Sequence, residues 1–140
     1  MIIAERYHDI SCGHRVVGHE GKCRFLHGHN YRIHFTITAS KLDPVGRVLD
    51  FSIIKSHLCE WLEHHFDHKF LMWEQDELLE QLLEIQKESL VVVPFNPTAE
   101  NIAKYLVEVV GPNQLADTTA KLISCKVEET SKCSASYSID

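Results

Sequence analysis

Two stretches of the chain alternate apolar and polar side chains with a period of two, and they set the expected frame. Residues 2–15 form the first predicted strand, with His8, Ile10, Cys12 and His14 sharing one face. A second strand is expected over 26–40. Its odd positions, His27, His29, Tyr31, Ile33, Phe35 and Ile37, make one face, and Asn30, Arg32, His34, Thr36 and Thr38 make the other. A glycine-bearing loop at 18–22 separates the two, and Asp43-Pro44 with Gly46 marks a turn after the second. The apolar spacing then becomes helical. Asp50 is a good N-cap for a helix running to about residue 66, with Ile54, Leu58, Trp61 and Leu62, and then His65, on its covered face. Residues 66–71 leave this helix, the acidic, leucine-bearing segment 74–88 reads as a more exposed helix, and 90–93 reads as a short extra strand. Thr98 caps a further helix, which Gly111-Pro112 is expected to stop at Val110. Residues 121–129 make a third main strand with Ile123, Cys125, Val127 and Glu129 on one face, and 134–139 pairs with it through a turn at Ser131 and Lys132. The order β-β-α-(α)-α-β-β describes one α+β domain over 1–140, an antiparallel sheet with helices packed on one face.

Composition narrows the function classes. The 140 residues are 44% apolar and 24% charged, enough to bury one globular core. A net charge of −6 without a basic run argues against a nucleic-acid surface. No apolar run approaches the roughly 20 residues of a membrane span, and the first residues lack the basic region and long apolar core of a secretion signal. The expected location is therefore the cytoplasm. Five cysteines, an odd number, then read as reduced thiols and not as a disulfide framework.

The chemistry concentrates in Cys23-Arg-Phe-Leu-His27-Gly-His29-Asn-Tyr31. On a strand, His27 and His29 point to the same face and can converge on one ion, and His14 ends the first strand with a third imidazole. Three histidines with an open fourth position are the donor set of a catalytic zinc site. Unrelated, hydrogen-bonded histidines are the alternative, as is a structural zinc closed by Cys23. Structural sites usually draw on two or more thiolates, which favours the catalytic reading. Cys23 is either a small buried apolar residue or, flanked by Lys22 and Arg24 and near a metal, a thiolate able to act as a general base. Asp67-His68 makes a proton relay if the carboxylate orients the imidazole, although neighbours in sequence need not face each other. Glu129, ending an apolar strand row, is placed like a ligand-binding group or a solvated strand end. Thr98 and Glu100 have helix capping as their plain role.

Taken in order, Cys12-Gly-His14, Cys23-x-x-x-His27-Gly-His29-Asn-Tyr31, Leu49-Asp-Phe51, Asp67-His68, Pro97-Thr98-x-Glu100-Asn101, Glu129-Thr130 and Tyr137 resemble the 6-pyruvoyltetrahydropterin synthase / 6-carboxytetrahydropterin synthase family over nearly the whole chain. The resemblance implies a tunnelling fold, in which antiparallel sheets from several subunits join into a barrel, and a homohexamer built as a dimer of trimers. It implies Zn2+ on His14, His27 and His29, Cys23 as general base, Asp67 with His68 as proton relay, and a pterin held by Glu129 with Thr98 and Glu100 lining the pocket. The implied substrate is 7,8-dihydroneopterin triphosphate. The three-residue spacing from Cys23 to His27-Gly-His29 is like the carboxy branch, which makes 6-carboxytetrahydropterin for queuosine and related deazapurines with release of acetaldehyde. The pyruvoyl branch, with triphosphate elimination and rearrangement, is the alternative; a non-catalytic pterin-binding homologue and a small structural zinc module are others. Departures from the family pattern are Cys12-Gly13 where Ala-Ala is common, Met72 where Asn is common, and a longer 74–93 segment.

Overall fold

The computed structural model describes residues 1–139. Alternation in the two long strands builds the centre of its sheet. β1 (Ile3–His14) and β2 (His27–Ala39) pair antiparallel along their whole length, from Ile3 opposite Thr38 to His14 opposite His27. The expected faces are observed: Ile10, Cys12 and His14 are buried from β1, and Tyr31, Ile33, Phe35 and Ile37 from β2. Gly13 and Gly28 are cross-strand partners on the opposite face. A Cβ on Gly13 would lie 2.4 Å from the Phe70 ring, and one on Gly28 would lie 3.0 Å from the Cys12 carbonyl oxygen, so this close approach needs glycine.

After β2, Asp50 accepts the Ser52 N–H and caps helix α1, made of Phe51–Ile54, a π-turn at Lys55–Cys59, and Glu60–His65. Ile54, Leu58 and Leu62 are buried as expected, whereas Trp61 is only partly covered and carries His65 stacked on its ring. The segment expected merely to leave this helix contains a further strand, β3 (Phe70–Trp73). Helix α2 covers only Leu79–Gln86, shorter than the 74–88 expected, and β4 (Leu90–Val93) follows where a strand was expected. Thr98 caps helix α3 by accepting the Asn101 N–H. This helix comprises Ala99–Tyr105, a π-turn at Leu106–Val110, and Gly111–Gln114, so it passes through Gly111-Pro112 instead of stopping at Val110. The wider π-turn shifts hydrogen bonding to i→i−5 ahead of Pro112, which has no N–H to satisfy. Glycine at 111 allows tight seating on the sheet, since a Cβ there would lie 2.8 Å from Leu122 Cδ2.

β5 (Ala120–Glu128) and β6 (Ser134–Ser138) complete a sheet ordered β4-β3-β1-β2-β5-β6. The four long strands are antiparallel, but β3 runs parallel to both β1 and β4, so the sheet is mixed. β5 also differs from its expected facing. Thr36 pairs with Ser124 and Ile37 with Leu122, so Ile123 is the extra residue of a β-bulge. The bulge reverses the alternation: Ala120 and Leu122 are buried before it, Cys125 and Val127 after it, and Ile123 is not on the core face. α1 and α3 supply the rest of the core through Ile54, Leu58, Leu62, Ile102, Leu106 and Val107. No helix among the described residues is long and apolar enough to cross a membrane.

The 74–93 segment has a positional task. Its Asp76 side chain is fully buried and accepts from Arg15 Nε at 2.7 Å, while Arg15 also donates to the Arg24 carbonyl at 2.9 Å. Asp76 further accepts the Leu78 N–H at the start of α2. The ion pair thereby ties the end of β1 to the short turn Lys22–Arg24 that carries Cys23. Removing one member of a buried pair leaves an uncompensated charge. Asp76→Ala should therefore cost about 3 kcal/mol in urea unfolding; a loss under about 0.5 kcal/mol, the size of an ordinary surface change, would contradict this role.

Candidate metal centre and its surroundings

Strand register alone stacks three imidazoles. His14 faces His27 across the β1–β2 ladder, and His29 faces Cys12 two pairs further in. His14 Nδ1 lies 2.7 Å from the Pro97 carbonyl oxygen, and His27 Nδ1 lies 2.7 Å from that of Phe25. A carbonyl only accepts, so each Nδ1 carries the proton, and in the neutral rings each Nε2 keeps its lone pair. These two Nε2 atoms are 3.0 Å apart. In neutral rings two such lone pairs repel, and a cation between them would relieve that repulsion. His29 Nε2 is buried with no hydrogen-bond partner, although Glu129 Oε1 is 2.9 Å away and off the N–H direction. One donor atom from each of His14, His27, His29 and Glu129 lies within 4.8 Å of all the others. Three imidazoles and a carboxylate suit a divalent transition metal.

The surroundings hold these donors in place. Pro97 is buried next to the cap of α3, and Asn96 fixes it to the end of β1 by accepting the Val17 N–H and donating to the Val17 carbonyl, both at 2.9 Å. The Tyr31 hydroxyl lies 3.2 Å from His14 Nδ1. Burial, followed by the nearby charges of Glu129, Cys12 and Cys23, pushes the Tyr31 phenol up, so it stays protonated. Burial also holds the His29 imidazole below its ordinary value, against the opposing pull of Glu129. Glu129 is held below the usual carboxylate range, first by its contact with His14 and then, against burial, by the charges of the imidazoles. The surroundings thus favour a neutral His29 ring and an ionised Glu129.

The other expected site residues fall in three places. Glu129, which the resemblance gives to the pterin, joins the imidazole group. Cys23 lies near enough to Tyr31 to act on its ionisation, but Arg24 donates to the Glu20 and Gly21 carbonyls and stacks on Phe25 at 4.3 Å. Those contacts commit that guanidinium to its own turn. Asp67 and His68 do face each other: His68 Nδ1 lies 2.9 Å from Asp67 Oδ2, and Asp67 Oδ1 accepts the Ser11 N–H at 2.9 Å. His68 has φ 58°, a left-handed conformation that turns its ring back toward its neighbour. This pair lines an open cleft of about 650 Å³ together with Ser11, Asn30 and Arg32. The alternation of β1 and β2 directs those three residues away from the imidazoles. Among the described residues, no hydrogen bond or ion pair joins the dyad to the histidines within one chain. Thr98 caps α3, and Glu100 is exposed in its first turn.

Cys12 and Cys125 are core thiols: burial, with the Asp67 charge adding to it, pushes Cys12 up to about 12, and burial raises Cys125 as well. The carbonyls of Pro97 and Phe25, the Tyr31 hydroxyl and the Arg15–Asp76 pair were not expected from sequence. Backbone acceptors leave no side-chain signature, although Asn96-Pro97 ahead of a capping threonine marks where such an acceptor could be held.

Known proteins bear on this geometry. The model of the 6-pyruvoyl tetrahydropterin synthase family matches residues 3–140. A Rickettsia typhi protein named 6-carboxy-5,6,7,8-tetrahydropterin synthase is 38% identical over 134 residues, covering 95% of this chain and 97% of that protein. Among solved structures, an uncharacterised protein from Wolinella succinogenes superposes with a TM-score of 0.86 at 24% identity, covering 99% and 98% of the two chains. A catalytic-residue mutant of the Plasmodium vivax 6-pyruvoyltetrahydropterin synthase superposes with a TM-score of 0.73 at 20% identity, covering 100% and 99%. The fold is therefore the tunnelling fold of these synthases. With its motifs, its fold and its full-length family match in agreement, the chain belongs to the 6-pyruvoyl tetrahydropterin synthase family.

Proposed function

We propose that this protein is a 6-carboxy-5,6,7,8-tetrahydropterin synthase, a zinc-dependent carbon–carbon lyase acting on 7,8-dihydroneopterin triphosphate. The observation that carries this reading is the end-to-end match to a relative of that name, at 38% identity. The short spacing from Cys23 to His27-Gly-His29 supports the same branch. His14, His27 and His29 would hold the zinc through Nε2, and the bound ion supplies Lewis-acid polarisation of the substrate's side-chain oxygens. Cys23 removes a proton from the carbon beside such an oxygen, acting as the thiolate. Asp67 keeps the His68 ring oriented with its other nitrogen free to exchange a proton. Glu129, ionised and partly exposed beside the imidazoles, accepts the N–H groups of the pterin edge, with Thr98 and Glu100 lining that side. Addition of one water, with release of acetaldehyde and triphosphate, leaves the 6-carboxy product, a precursor for queuosine-type deazapurines.

The protein acts as a homohexamer, a dimer of trimers, in the cytoplasm. Support comes from the sheet itself, whose outer strands β4 and β6 each have an edge unpaired within one chain. Joining such edges between copies would close a barrel. It would also offer a route for the Asp67–His68 dyad, remote from its own histidines, to serve a site shared between subunits.

Incubation of zinc-loaded protein with 7,8-dihydroneopterin triphosphate under reducing, oxygen-free conditions should give 6-carboxytetrahydropterin and equimolar acetaldehyde by mass spectrometry. Cys23→Ala should lower turnover by about 10²–10⁴-fold with zinc content unchanged, as expected for loss of a general base. A 6-pyruvoyl product would move the protein to the other branch. Glu129-dependent pterin binding without any product would replace the enzyme by a binding protein.

Zinc binding should also depend on the imidazoles and on pH in a defined sense. Metal and proton compete for Nε2, so affinity should be full above about pH 7 and fall as pH drops through about 6. Because burial keeps His29 below its ordinary value, this ligand stays available as the pH falls and its neutral form is the one the fold favours. Equilibrium dialysis should find one zinc per chain, no stoichiometric binding in His27→Ala, and about tenfold weaker binding in Tyr31→Phe, which removes the hydroxyl beside His14 and keeps the ring against His29. Unchanged binding at pH 5, or in His27→Ala, would place the metal elsewhere.

A further inference from the structure

Glu129 reaches the imidazoles from a turn just past the end of its strand. β5 ends at Glu128 and β6 begins at Ser134, so residues 129–133 join the two. Thr130, Ser131, Lys132 and Cys133 are all exposed within one chain and give no side chain to the core. Burial therefore does not fix this turn, and its own hydrogen bonds must. The Cys133 carbonyl accepts the Glu129 N–H at 3.1 Å and the Thr130 N–H at 3.4 Å. The Thr130 hydroxyl oxygen accepts the Lys132 N–H and the Cys133 N–H, both at 3.2 Å. A threonine hydroxyl in this arrangement replaces a backbone acceptor and closes the turn. Cys133 is held through its N–H and holds Glu129 through its carbonyl, so the hydroxyl of Thr130 is linked to the Glu129 backbone through one residue.

At the other end of Glu129, nothing directional fixes the carboxylate. Its Oε1 lies 2.9 Å from His29 Nε2 but off the N–H direction, and 3.3 Å from His14 Nε2, where the neutral ring has only a lone pair because its proton sits on Nδ1. The Glu129 side chain is 24% exposed, which leaves it room to swing toward solvent. Its place against the rings is thus set from the backbone side. We propose that Thr130 is a positioning residue for Glu129: its hydroxyl, as acceptor for two amides of an otherwise unsupported turn, decides where the Glu129 carboxylate stands. The consequence for a bound pterin rests on the proposed function, whereas the hold on the turn does not.

The test joins amide hydrogen exchange to pterin binding, both in the zinc-loaded protein and neither needing turnover. In the unaltered protein the Lys132 and Cys133 amides, although on an exposed turn, should exchange more slowly than free amides; exchange at the free rate overturns the proposal without any variant. Thr130→Val keeps the side-chain shape and removes the acceptor. It should speed exchange about tenfold at Lys132 and Cys133 and also at the Glu129 amide, whose own partner is Cys133. Thr130→Ser keeps the hydroxyl and should leave all three protected. Unchanged protection of Glu129 in Thr130→Val, or a Thr130→Ser turn as loose as the valine one, overturns the proposal. Neopterin, which has the pterin edge and no triphosphate, should bind Thr130→Val about tenfold more weakly by isothermal titration calorimetry, with one zinc per chain retained. A role confined to stability would lower the melting temperature but leave Glu129 exchange and neopterin affinity where they were, and that result also overturns it. Glu129→Gln separates the two claims. If it binds neopterin as tightly as the unaltered protein, the pterin role of Glu129 falls, and the exchange of the Glu129 amide alone decides the role of Thr130.

Discussion

The register of β1 against β2 is the constraint on which the rest depends. One antiparallel ladder sets His14 opposite His27 and brings His29 into the next layer, and a one-residue slip would send one strand's histidines to the opposite face. The buried row of Tyr31, Ile33, Phe35 and Ile37 pins that register, because any slip would expose four large apolar side chains. Hydrophobic burial at one end of the sheet thus fixes the grouping of the imidazoles at the other. The carbonyls of Pro97 and Phe25 then settle which nitrogen of His14 and His27 is free. A metal ion between the two lone pairs, 3.0 Å apart, would relieve their repulsion.

Around this centre the contacts that hold the fold are separate from the groups proposed to react. The Arg15–Asp76 pair and the Asn96 clasp connect loops to the end of β1 with buried or half-buried polar contacts. The proposed reacting groups, Cys23, Glu129 and His68, sit on turns or just past strand ends, where side chains keep more freedom. The long acidic insertion thereby acquires a physical role through one aspartate that neutralises the arginine supporting the Cys23 turn.

Sequence was most informative where one periodicity governs. Both faces of β1 and β2, the Asp50 and Thr98 caps, and the grouping of the three histidines were all legible because period-two alternation and capping are local. It was least informative where tertiary context decides. Ile123 was expected on the core face, but a one-residue bulge opposite Thr36 and Ile37 inverts the first half of β5, and nothing local in the strand announces it. β3 went unseen because four residues paired on both sides carry no alternation. Pro112 looked like a helix terminator, yet a preceding π-turn carries α3 past it. Asp67 and His68 were adjacent in sequence without a stated contact, and a left-handed backbone at His68 makes it. Glu129 reached the site as a strand-end group, but only the fold put its carboxylate among the imidazoles.

The most direct test of the central claim is an anomalous-scattering crystal structure of the zinc-loaded protein, measured on both sides of the zinc absorption edge. The geometry requires a single anomalous peak bonded to Nε2 of His14, His27 and His29, at about 2.0–2.1 Å from each nitrogen. Zinc bound through Nδ1 of His14 or His27, or held at the cysteines away from these rings, would contradict it.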